Sequence, residues 1–91
     1  MIKSFRSTAL RKFWQRGDVQ SIPTDWTDKI EKLLDLLEKA RSPEDMALPG
    51  LFYGYPEGTK GRYAVAVSKG WRLSFGWENG EAVDVDLEDI Q

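Results

Sequence analysis

The 91-residue chain contains neither cysteine nor histidine. Without cysteine there is no disulfide framework and no thiolate zinc site. Without histidine the usual proton-exchanging group near neutral pH is missing, so any acid–base chemistry falls to carboxylates, Lys, Tyr or water. There is no long apolar run and no signal-peptide pattern, which predicts a soluble, cytoplasmic protein rather than a membrane one. An excess of one charge is lacking too. Thirteen basic and fifteen acidic residues leave a net charge of −2, unlike the basic surplus of a non-specific nucleic-acid binder. A local patch can still recognise an anion, because recognition depends on the field at one surface and not on the sum.

What the chain does have is apolar and aromatic material in periodic order. Its hydrophobic content of 41% is enough for one core, and the length allows a single domain over residues 1–91. From Gly61 to Glu88 three segments alternate with a period of two, as half-buried strands do. Tyr63, Val65 and Val67 alternate with Arg62, Ala64, Ala66 and Ser68. Trp71, Leu73, Phe75 and Trp77 alternate with Arg72, Ser74, Gly76 and Glu78, and Val83, Val85 and Leu87 with Asp84, Asp86 and Glu88. Asn79-Gly80 predicts a tight type I′ turn and Ser68-Lys69-Gly70 a looser one. The result is an antiparallel meander with one apolar face and one face carrying Arg62, Arg72 and Ser74.

The preceding chain supplies the cover. Ile2-Lys3-Ser4-Phe5 alternates as a short first strand. Ser7 or Thr8 can cap a helix that Gly17 ends, with Leu10, Phe13 and Trp14 on its inner side. Its basic residues, with Lys3 and Arg6, read as a solvated face or alternatively as a nucleic-acid patch. A second helix is predicted from about Thr24 to Arg41, with Trp26, Ile30, Leu33, Leu34, Leu37 and Ala40 in one stripe. Asp25 and Asp28 near its start and Lys39 and Arg41 near its end suit the helix dipole. One helical turn is expected at Pro43-Glu44-Asp45-Met46, an edge strand at Leu51–Tyr55, and a flexible turn at Glu57–Gly61 that delivers Lys60 to the sheet. Together these predict an α+β domain, with two N-terminal helices packed on one face of a small, mostly antiparallel twisted sheet.

Function is sought on the other face. Phosphodiester chemistry without histidine needs cations to hold the phosphate and groups to take and return a proton. Lys60, Arg62 and Arg72 are the candidate cations, Ser74 lies between them, and Tyr53 and Tyr55 are candidates for stacking on an unpaired base. Asp84, Asp86 and Glu88 share that face as alternative partners for the arginines. The residues alone define a soluble α+β domain with a polar sheet face.

Met1-Ile2-Lys3-Ser4-Phe5, Pro49-Gly50 before an aromatic-containing strand, and above all the run from Tyr63 to Phe75 resemble the HigB toxins. These are a branch of the RelE/ParE superfamily of type II toxin–antitoxin systems. The resemblance implies a RelE-like fold and a ribosome-dependent endoribonuclease that cuts translated mRNA. In such enzymes the 2′-hydroxyl attacks the adjacent phosphate, with no metal or other cofactor. It implies that Lys60 and Arg72 contact the scissile phosphate. It also implies a HigA-like helix-turn-helix antitoxin as partner, with DNA met only through that complex. The family usually closes with Asp-Tyr-His, and Asp89-Ile90-Gln91 stand there in this chain, so Asp89 and Gln91 occupy the positions of two of those residues. The family's further His, near Tyr53 to Tyr55, is also absent. The alternative reading is a non-catalytic module of the same fold that acts by protein binding, gyrase-directed or as an inactive antitoxin partner.

Overall fold

A computed structural model describes residues 1–54 and 61–89. The elements run α1 (Thr8–Arg16), a 3-10 turn (Thr24–Trp26), α2 (Thr27–Lys39), a second 3-10 turn (Pro43–Met46), then β1 (Arg62–Ser68), β2 (Trp71–Glu78) and β3 (Glu81–Asp89). The three strands form one antiparallel sheet in the order β1-β2-β3, and the α+β architecture expected from the sequence is the one observed.

The signals at the ends of α1 act as their chemistry dictates. The Ser7 Oγ accepts the Leu10 N–H at 3.1 Å, satisfying one of the orphan donors of the first turn. Gly17 leaves the helix at φ 69°, a conformation open to glycine at no steric cost. α2 is shorter than its apolar stripe. At its start the Trp26 N–H bonds back to the Pro23 carbonyl at 2.9 Å, so residues 24–26 form a tighter 3-10 turn. At its end the N–H groups of Arg41 and Ser42 donate to the Asp45 carboxylate, at 2.8 and 3.3 Å. Both are thereby diverted from the helix ladder, and Ala40 is already extended.

The core lies between the helices and one sheet face. Leu10 and Phe13 of α1 and Ile30, Leu33, Leu34 and Leu37 of α2 meet Val65, Val67, Leu73, Phe75, Ala82 and Val85 of the sheet. Each such Val, Leu, Ile or Phe side chain, fully buried, contributes about 1.5–3 kcal/mol. Trp26 is half-buried and meets Trp71 with ring centroids 5.3 Å apart, which fastens the entry to α2 to the start of β2.

Both outer edges of the sheet are occupied, although not by full strands. The expected first strand is reduced to isolated parallel bridges, Ile2 to Ala82 and Phe5 to Val85, and the expected edge strand is represented among the described residues by one antiparallel bridge, Gly54 to Ala64. The cause on the first edge is a bulge in β3. Ser74 pairs with Asp86 but Gly76 pairs with Val83, so Asp84 and Val85 together face Phe75, and Asp84 takes φ 50°. The Asp84 N–H, released from the ladder, donates to the Ser4 Oγ at 2.9 Å. The bulge also corrects the alternation read from the sequence. Val85 enters the core, whereas Val83 emerges on the other face against Gly76, where an added Cβ would lie 3.1 Å from the Val83 Cγ2.

Candidate functional site: a cationic cleft on the polar sheet face

Three cross-strand rows build the face turned away from the helices. Arg62 stands opposite Gly76; Ala64, Ser74 and Asp86 form the next row; Ala66, Arg72 and Glu88 the third. Strand alternation thus brings Arg62, Ser74 and Arg72 to one face, as their parity predicts. The expectation that all three lie open there is corrected for two of them. Arg62 is 8% exposed and Ser74 fully buried. The Arg62 guanidinium lies over Ser74, and its Nη2 donates to the Ser74 Oγ and to the Asp84 carbonyl, both at 2.9 Å. Burial lowers the pKa of Arg62, and the charge of Arg6 lowers it further, while Glu88, Asp84 and Asp86 oppose the shift. The group remains a cation. Its Nη2 faces the protein, at the carbonyl that the bulge sets free.

Arg72 is placed differently. It is half-buried on β2, next to the turn, and lines a cleft of about 310 Å³ with Phe52, Gly54, Ala64, Ala66, Ser68 and Trp71. Among the described residues no acidic side chain lines this cleft. A larger cleft, about 500 Å³, lies on the helical side between Phe13, Trp14, Gly17, Val19, Glu31, Lys32 and Asp35. Its two carboxylates repel a polyanion, so the smaller cleft is the better phosphate site despite its size.

The other candidates are scattered. Asp89 is exposed at the end of β3, in register with Trp71 and next to the Arg72–Glu88 pair. The Tyr53 ring is half-buried and stacks on Tyr63 at 6.0 Å, and Tyr63 stacks on Phe75 at 5.7 Å. That ring is therefore part of an aromatic column joined to the core. Lys60, Tyr55 and Gln91 lie outside the described residues. One residue on the cleft was not singled out from the sequence. Phe52 is 83% exposed, and the signal was its parity, opposite to that of Leu51 and Tyr53.

Two helices on a short antiparallel meander, with an arginine cleft on the uncovered side, form the architecture of a RelE-like toxin. Residues 3–89 match the family described as the RelE-like toxin of type II toxin–antitoxin system HigB. The chain belongs to this HigB-like toxin family, and its place in a type II system gives it an antitoxin as partner. It is similar to the endoribonuclease HigB of Proteus vulgaris, with 26% identity over 91 residues that cover 98% of each chain. Among the described residues no helix is long and apolar enough to cross a membrane.

Proposed function

We propose that this toxin is an endoribonuclease that cleaves mRNA on the translating ribosome, with Arg72 holding the scissile phosphate. The observation that carries the reading is the cleft itself, which Arg72 lines with Phe52, Gly54, Ala64, Ala66, Ser68 and Trp71 and, among the described residues, with no carboxylate. Its relative in Proteus vulgaris bears the name of an endoribonuclease. In the reaction, the 2′-oxygen loses its proton and bonds to the neighbouring phosphorus. The bond from phosphorus to the 5′-oxygen breaks, and that oxygen takes up a proton. The products are a 2′,3′-cyclic phosphate and a 5′-hydroxyl. The nucleophile belongs to the substrate, so the step asks for no metal-bound water. Charge grows on the phosphate oxygens as the bond forms, and a guanidinium placed there stabilises it with two parallel donors.

Proton transfer falls to groups other than histidine. Asp89, beside the Arg72–Glu88 pair, is the candidate acceptor among the described residues, with Lys60 and Gln91 as further candidates. Arg62, already bonded to Ser74 and Asp84, serves the site by holding the sheet. The antitoxin is proposed to be a HigA-like helix-turn-helix protein. Inducing the gene in a bacterium and mapping transcript ends tests the reading. New 5′ ends on translated messages, absent with Arg72→Ala, are expected; intact transcripts under growth arrest would sink it. Asp86 and Glu88 beside the cationic face favour the second reading, a non-catalytic module acting by protein binding. Toxicity that survives Arg72→Ala would support that one.

A further inference from the structure

The rim of the cleft opposite Arg72 holds a phenylalanine in an unusual position. Phe52 is 83% exposed and its backbone sits at φ 52°, where a bulky side chain is an outlier. The cause lies in how residues 51–54 pair with β1. The Leu51 carbonyl accepts the Ala66 N–H at 2.7 Å, and Gly54 exchanges both its bonds with Ala64, at 3.0 and 2.9 Å. Three steps along the outer chain therefore span two steps of β1, so one residue is extra. On either side the chain is anchored inward: Leu51 is buried in the core and the Tyr53 ring is stacked on Tyr63. Phe52 is driven out onto the Arg72 face. Bulges beside active sites commonly re-aim a side chain in this way.

We propose that Phe52 is the base-stacking residue of this site, its ring taking the face of an unpaired RNA base whose neighbouring phosphate is held by Arg72. The chemistry fits an unpaired nucleotide at each point. The ring gives an apolar plane that any base can cover. Gly54, Ala64 and Ala66 leave a low floor between the ring and the guanidinium, and Ser68 adds a hydroxyl at its end. The exposed ring offers its face to such a base. The inference rests on the nuclease reading and adds a recognition residue to it.

The test is single-turnover cleavage on ribosomes programmed with a defined mRNA, using parent protein, Phe52→Ala and Phe52→Trp. Phe52→Ala should raise the half-saturating protein concentration roughly 5- to 100-fold, leave the melting temperature unchanged, and lose most of its effect on an mRNA with an abasic residue at the cleavage site. Phe52→Trp should restore saturation. Parental saturation by Phe52→Ala on the intact mRNA overturns the role of Phe52, including the case in which that variant loses only its neutralisation by antitoxin. A parent protein inert on the same ribosomes overturns the nuclease reading instead.

Discussion

Arg62 reaches across the sheet to Ser74, its Nη2 donating to the Ser74 Oγ at 2.9 Å where both residues are buried. The same nitrogen donates to the Asp84 carbonyl at 2.9 Å, so one side chain ties β1, β2 and the bulge of β3. A cation that parity places on the substrate face is thereby committed to the scaffold. Arg62→Met keeps the apolar stem but strands both acceptors. A loss of about 1–3 kcal/mol is expected, measured as a lower urea midpoint at constant slope. Unchanged stability would contradict the bracing role.

Arg72 makes the opposite case. It is half-buried at the rim of the cleft, so its removal should leave the fold almost intact, within about 0.5 kcal/mol. Arg72→Ala is expected to slow cleavage by roughly 10²–10³-fold, as loss of one donor to a developing oxyanion does. Parallel rate and melting measurements separate the two effects, and a large stability loss would count against the assignment.

Leu37 is fully buried where α2 meets the sheet. Leu37→Ala opens a cavity in a packed core and is expected to destabilise by about 2–5 kcal/mol. Denaturant unfolding reads the change. A value below 1 kcal/mol would mean that the helix does not pack as described.

Gly17 provides a cleaner conformational test. A Cβ placed there meets nothing within 4 Å, yet φ is +69°. Gly17→Ala should therefore cost about 1–2 kcal/mol through backbone strain alone. Gly17→Asn should cost less, because Asn tolerates that region. Equal thermal melts for all three proteins would refute the reading.

Much of this architecture is written locally. Ser7, Gly17 and the spacing of Ile30, Leu33, Leu34 and Leu37 act within a few residues of themselves. So do Asn79 and Gly80, which take the positive φ that their turn requires. What local pattern does not carry is the bulge at Asp84, because it is stabilised from far away. Its N–H is taken by Ser4, 80 positions off, and its carbonyl by Arg62, 22 positions off. A strict period of two therefore assigns Val83 to the wrong face. The site is legible to the same extent. Alternation puts Arg62, Ser74 and Arg72 on one side, but only the packed sheet shows that Arg62 covers Ser74 and leaves Arg72 at the cleft. The aromatic assignment follows the same logic: Tyr53 carries a polar tip that suits a base, while its neighbour Phe52 is the ring that the pairing of residues 51–54 turns outward.

The closing of β3 by residues 1–7 has a consequence for how the chain reaches its final state. Backbone bonds from Lys3, Arg6 and Ser7 to Ala82 and Val85 join segments from opposite ends of the sequence. The entropy of closing so long a loop is met late, after the local helices and hairpins are in place. Until then β3 presents a bare row of donors and acceptors, the template on which strands of other chains add. The folded toxin hides that row under its own N-terminal segment, whereas the nearly folded one does not. Self-association should therefore track the undocked population, and trimming the first five residues should raise it without touching the cleft.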